Sequence, residues 1–241
     1  MKVLLANSYM EIQQRTTGNE SFVGGDAKIS PEGKLLLLLN NNQITQMDTE
    51  TGEETDWVNA GKSVSFGDFD ADGYFYAGGR RSDLVIIAPD QTTRLAGVYA
   101  GDEILGVRVY DGYVYLIVEG TSPELAIWRH LIGANGTLGA KELVLDWAEA
   151  GEFADSELNS LTFSADGIMY VATSNANPIM MIYPDYIDGR RDIIYKDILP
   201  STVERFHWGT GNHLYMISGG SNWLVYRIDM GAAGAPYYGI Q

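Results

Sequence analysis

The densest run of hard oxygen ligands in the chain is Gly67-Asp68-Phe69-Asp70-Ala71-Asp72-Gly73-Tyr74. Calcium takes several oxygens at ~2.3–2.6 Å, and aspartates at loop positions one, three and five before a glycine can wrap three carboxylates round one ion. Asp68, Asp70, Asp72 and the carbonyl of Tyr74 are therefore expected as a calcium loop. Positions nine and twelve hold Tyr76 and Gly79, so waters or a neighbouring loop must complete the shell. The competing reading is an Asp-Gly turn whose carboxylates are solvated. The three histidines, His130, His207 and His213, read as surface or packing residues on alternating strands, the alternative being a metal-binding or acid-base pair of His207 and His213, which flank a turn. No GxSxG elbow, HExxH helix or phosphate loop is present.

The elements that must carry this loop recur along the chain. A strand-turn-strand signature spans 27–39, 65–79, 107–118, 161–173 and 206–218, with turn glycines Gly33, Gly73, Gly112, Gly167 and Gly211 separated by 40, 39, 55 and 44 residues. Asp-Gly and related pairs between β-rich runs are strong hairpin signals. Each copy is followed by a third strand (43–47, 84–88, 125–130, 179–183, 223–228) and most by a fourth (54–58, 94–99, 142–147, 192–198). A period of about 40–45 residues with four strands per repeat is that of a β-propeller. The expected fold is thus all-β, a single propeller domain over residues 1–241 built from four-stranded antiparallel blades. Six blades are expected, with five as the alternative. In the six-blade arrangement residues 1–24 supply three strands of a shared blade and 234–241 the fourth, pairing the two ends and removing exposed sheet edges. The long interval places an insertion around 133–147 and the acidic loop 149–157, read either as a solvated loop or as a functional lid.

In a propeller the innermost strands run along a central channel. Residues seven to nine before a turn glycine then approach one mouth, and these include Asp26, Glu103, Asn159 and Glu204. Acid and amide oxygens converging there suit one divalent ion. Trp57, Trp128, Trp147, Trp208 and Trp223 recur near blade ends, as inter-blade packing or as a carbohydrate-stacking platform. The net charge of −16 repels phosphate backbones and disfavours nucleic acid or an anionic membrane as partner. Cysteine is absent, which excludes disulfides, zinc-thiolate sites and thiol catalysis. No apolar run approaches ~18 residues, so membrane insertion is not expected. The repeat and the acidity favour an extracytoplasmic or extracellular setting.

Two resemblances sharpen these readings. Residues 66–79 resemble the calcium loops of integrin-type propeller repeats, which implies a Ca2+ ion stiffening the second blade. Residues 125–172, with LNSLTFSADGIMYVA at 158–172, resemble the gluconolactonase and regucalcin propellers. That likeness implies a catalytic metal on the inner strands and puts Asn159 and Glu204 in metal roles, although the family's Asn-Gly pair is Asn159-Ser160 in this chain and its base has no clear counterpart. The expected function is a non-enzymatic propeller acting as a calcium-stabilised binding or structural module for a protein or carbohydrate partner. The alternatives are a metal-dependent lactonase-like hydrolase with its ion at the channel mouth, and a carbohydrate-binding propeller.

Overall fold

The computed structural model describes residues 2–6, 10–14, 26–184, 191–195, 197, 199, 202–209, 211–218 and 224–236. It is a β-propeller of five blades. An N-terminal hairpin pairs β1 (Lys2–Ala6) with β2 (Met10–Gln14). Blade I follows as β3 (Asp26–Ile29), β4 (Leu35–Leu38), β5 (Asn41–Met47) and β6 (Glu54–Val64). Blade II is β7 (Phe66–Phe69), β8 (Phe75–Gly78), β9 (Val85–Ile87) and β10 (Thr93–Leu95). Blade III is β11 (Glu103–Tyr110), β12 (Tyr113–Glu119), β13 (Leu125–Leu131) and β14 (Glu142–Asp146). Blade IV is β15 (Leu158–Phe163), β16 (Met169–Thr173), β17 (Ile179–Ile182) and β18 (Arg191–Ile193). Blade V has three strands among the described residues, β19 (Val203–Trp208), β20 (His213–Ser218) and β21 (Leu224–Asp229). Every sheet is an antiparallel meander in chain order.

Each turn glycine of the repeated signature has positive φ, from +67° at Gly211 to +87° at Gly167. Residues with a Cβ rarely adopt that backbone, which is why these turns hold glycine. Period-2 alternation then divides the second strand of each blade between two interfaces. On β16, Met169 and Val171 pack towards blade III while Tyr170 and Ala172 pack towards blade V. On β8, Phe75 and Ala77 face blade I and Tyr76 faces blade III. The core is therefore a set of apolar layers between consecutive blades rather than one central mass.

The five-blade count corrects the six-blade expectation. The 55-residue interval is occupied by the connection from blade III to blade IV, so the length that suggested a sixth repeat is used there. The described residues 2–6 and 10–14 pair as a hairpin, and the rest of the N-terminal segment lies outside the described residues. The described part of the C-terminal segment joins blade IV: Gly234 bridges Ser164, and Ala235 N–H donates to the Phe163 carbonyl at 2.9 Å. A Cβ on Gly234 would stand 2.3 Å from Trp208, so only glycine lets the backbone pass over that buried ring. Residues 237–241 lie outside the described residues, as does Trp223.

The acidic insertion is not a free flap. Trp147, Ala150 and Phe153 sink into the layer between blades III and IV, and the Trp147 indole N–H donates to the Ser156 carbonyl at 2.7 Å. Trp147 and Trp208 are each 2% exposed, which removes them as stacking platforms.

Candidate functional site at the channel

The inner strands β3, β7, β11, β15 and β19 surround the central channel. Their side chains alternate between the inter-blade layers and the lumen: Phe206 and Trp208 are buried in the layer between blades IV and V, whereas Arg205 and His207 line the channel. The same spacing of two brings Asp26 with Lys28, Gly106 with Arg108, and Ser160 with Thr162 to the lumen. Three of the inner strands carry a β-bulge near the start, with Leu105, Asn159 and Glu204 as the extra residues. A bulge re-aims side chains locally and is frequent beside binding sites. The enclosed cavity has a volume of about 20 Å³. One water needs roughly 10–15 Å³ on that scale, so the lumen holds a small group and anything larger sits in the mouth.

The lumen is rich in charge. Asp26 Oδ1 lies 3.3 Å from His207 Nε2, and its Oδ2 lies 3.3 Å from Lys28 Nζ. Burial alone would push the Asp26 carboxyl up, but Lys28, His207 and Arg205 together hold it well below the usual carboxylate range. His207 moves down from the ordinary imidazole value, first because it is buried and next because Lys28 is near, with Asp26 opposing. Arg205 donates from Nη1 to the carbonyls of Asn159 at 2.7 Å and Glu204 at 2.6 Å, and its guanidinium lies 4.7 Å from the centre of the Phe66 ring. Deeper in, Arg108 Nη1 donates to Asp68 Oδ2 at 2.8 Å, and the same oxygen accepts from Val109 N–H at 2.9 Å.

Of the four expected mouth residues, the channel brings together Asp26 and Asn159. Glu103 and Glu204 do not border the cavity: Glu103 is 3.5 Å from Arg80 Nε, and Glu204 presents its backbone carbonyl to Arg205. Asn159 donates from Nδ2 to the Val203 carbonyl at 3.0 Å, tying β15 to β19. Sequence reasoning missed Lys28, Arg108 and Arg205, and read His207 as a surface or packing residue with an acid-base role only as the alternative. The signal was present as the alternating pairs Asp26-x-Lys28 and Arg205-x-His207 on inner strands, which place two charges of each strand on the lumen face.

The expected calcium loop is built differently. Asp68 is buried against Arg108, on β7 rather than in the turn. Asp70 Oδ1 accepts from the N–H groups of Asp72 at 3.0 Å and Tyr74 at 2.8 Å, and its Oδ2 accepts from the Tyr76 hydroxyl at 2.9 Å. The Tyr74 carbonyl, expected as a ligand, accepts from Asp70 N–H at 2.9 Å and closes the hairpin. Asp72 is exposed. The corresponding residues of blades I and IV, Ser30 and Ser164, use their hydroxyls in the same way, each accepting the N–H four residues on, from Lys34 at 3.2 Å and Ile168 at 3.1 Å. Asp70 is thus this blade's version of a repeated turn cap. A divalent cation does not fit the channel either. Lys28, Arg108 and Arg205 line the same space as Asp26, the one carboxylate there among the described residues. Among the described residues no three His, Cys, Asp or Glu side chains are grouped to hold an ion.

No protein-family model matches the sequence, and no curated protein matches it. Solved structures do resemble the fold. A protein assigned as a gluconolactonase superposes with a TM-score of 0.68 at 15% identity, covering 95% of this chain and 80% of that one. A luciferin-regenerating enzyme gives 0.66 at 16% identity, covering 88% and 78%. A gluconolactonase from Xanthomonas campestris gives 0.61 at 15% identity, covering 84% and 71%. At these identities the likeness establishes the propeller fold and nothing about the chemistry of this chain.

Proposed function

We propose that the channel mouth opens lactones or similar cyclic esters by general-base hydrolysis, using His207 and Asp26 and no divalent ion. The observation that carries this reading is the His207–Asp26 pair at 3.3 Å, with a buried, ionised carboxylate holding an imidazole that is partly exposed to the lumen. Because Asp26 is ionised, the proton it receives sits on Nε2, which leaves the lone pair on Nδ1. The lowered pKa of His207 keeps that lone pair available at neutral pH. A water at Nδ1 loses its proton to the ring as its oxygen attacks the ester carbonyl. The tetrahedral oxyanion gains from the buried Lys28 ammonium beside Asp26. Collapse breaks the acyl C–O bond, the alkoxide recovers the proton from His207, and the product is a hydroxy acid. The resemblance of the fold to proteins called gluconolactonases supports the substrate class, while the cationic lumen sets this site apart from a metal-dependent one.

The test is hydrolysis of five- and six-membered lactones by purified protein in excess chelator. Turnover should persist with chelator and fall by about 10²-fold or more in His207→Gln, the usual scale of a general base. Absence of turnover, undiminished turnover in His207→Gln, or a requirement for added divalent ion would each overturn the reading.

A further inference from the structure

A chain of net charge −16 has placed three of its 16 Lys and Arg residues around one narrow lumen. Two of them are matched: Asp68 neutralises Arg108 and Asp26 neutralises Lys28. Arg205 is not. Its partners among the described residues are two backbone carbonyls and the face of Phe66. No carboxylate of the described residues lies within the 4.0 Å of an ion pair. The carbonyls engage Nη1 alone, so the other guanidinium N–H groups are not taken up by the described residues. With His207 neutral, the lumen carries one net positive charge.

We propose that Arg205 anchors a carboxylate, so that the channel mouth is a binding site for small monocarboxylic acids. Burying a guanidinium without a counter-charge in contact is costly, and a fixed planar fork of donors is best met by a carboxylate, which accepts two parallel N–H bonds. The two carbonyls and the Phe66 ring hold the guanidinium in place before an anion arrives, so little conformational freedom is lost on binding. The bulges at Asn159 and Glu204 supply both carbonyls, which gives these irregularities a purpose in aiming Arg205. A lumen of about 20 Å³ admits the head group of such an acid and leaves its remainder in the mouth. The proposed ring-opening yields a hydroxy acid of this class, but the anchor depends on Arg205 rather than on the chemistry at His207.

Lactate and propane-1,2-diol have the same skeleton and differ in the carboxylate, so titrating each by calorimetry, in low salt and with chelator present, isolates the charge. Lactate should bind and raise the melting temperature, the diol should do neither, and ~0.5 M sodium chloride should weaken lactate binding by competition and screening. Arg205→Gln should lose lactate affinity at least tenfold, with Arg205→Lys between it and the parent. Equal binding of diol and lactate, no lactate binding, or unchanged affinity in a folded Arg205→Gln protein overturns the proposal. If Arg205→Gln fails to fold, the comparison of lactate with diol on the parent protein decides alone. Lactate binding without lactone turnover would sink the hydrolase reading and leave the anchor standing, and turnover without preference for lactate would do the reverse.

Discussion

Two aspartate sites in this propeller invite the same reading from sequence and have opposite roles. In the hairpin 67–74 three aspartates alternate as in a cation loop, yet Asp68 pairs with Arg108, Asp70 caps the turn and Asp72 faces solvent. At the channel a single carboxylate, Asp26, meets Lys28 and a histidine that borders the lumen. The dense motif is scaffold and the sparse one is the candidate site. What separates them is where their oxygens' partners come from. Asp70 satisfies its acceptors from its own hairpin. Asp26 is satisfied partly across the ring, by His207 of blade V, which only the closed fold brings near.

The largest expected effect tests the scaffold side. Asp68→Ala removes the counter-ion of a guanidinium that is 3% exposed, and breaking a buried pair from one side costs about 3–5 kcal/mol. For a domain of this size, at roughly 2–4 °C per kcal/mol, the melting temperature should fall by roughly 6–20 °C. Asp26→Ala should cost less, because its contacts to Lys28 and to the half-exposed His207 are both 3.3 Å against 2.8 Å for the Asp68–Arg108 pair, while abolishing lactone turnover. Calorimetric melting of both variants gives the order, and a larger loss for Asp26→Ala would break the comparison.

Much of the fold was legible because its determinants are local. The turn glycines and the two-residue alternation announce hairpins with no knowledge of the partner strand, and the spans expected at 161–173 and 179–183 lie close to the observed β15 to β17. Blade number was not legible, because it depends on what the chain ends and the long insertion do. Trp147 and Phe153 make that insertion part of the core, and Gly234 sends the C-terminal segment to Ser164. The site was half legible. Spacing from the turn glycines brought Asp26 and Asn159 to the lumen but also nominated Glu103 and Glu204, since a bulge shifts the alternation by one residue and no sequence pattern marks it. The cap role of Asp70 was readable from alignment of 30–34, 70–74 and 164–168, where serine, aspartate and serine share one position.

That alignment gives the next test, of intermediate size. Asp70→Ala leaves the N–H of Tyr74 and the hydroxyl of the buried Tyr76 without their acceptor, a loss of about 1–3 kcal/mol. Asp70→Ser should restore part of this, because a hydroxyl caps the same turn at Ser30 and Ser164. Millimolar calcium should not alter the melting temperature of the parent or of either variant. If serine is as damaging as alanine and calcium stabilises only the parent, the loop is a metal site after all.

The smallest effect lies in the pH dependence, where the two sites should have opposite signs. Asp26 is held below its ordinary value, so the folded state keeps this carboxylate ionised where the unfolded chain protonates it; its contribution is present above about pH 4 and fades as the pH falls further. Asp70 is raised, chiefly by burial and against its three hydrogen bonds. The folded protein therefore takes up this proton first, and Asp70 adds relative stability as the pH falls through its raised folded value towards about 4. Melting temperatures from pH 7 to pH 3 should thus decline less steeply at the acid end in Asp26→Asn than in the parent. In Asp70→Asn the decline should begin at higher pH, because the offsetting gain has been removed. A shift of a few degrees is expected in each direction, and two variants that move the curve the same way would show that the carboxylates share one environment, erasing the distinction between cap and site.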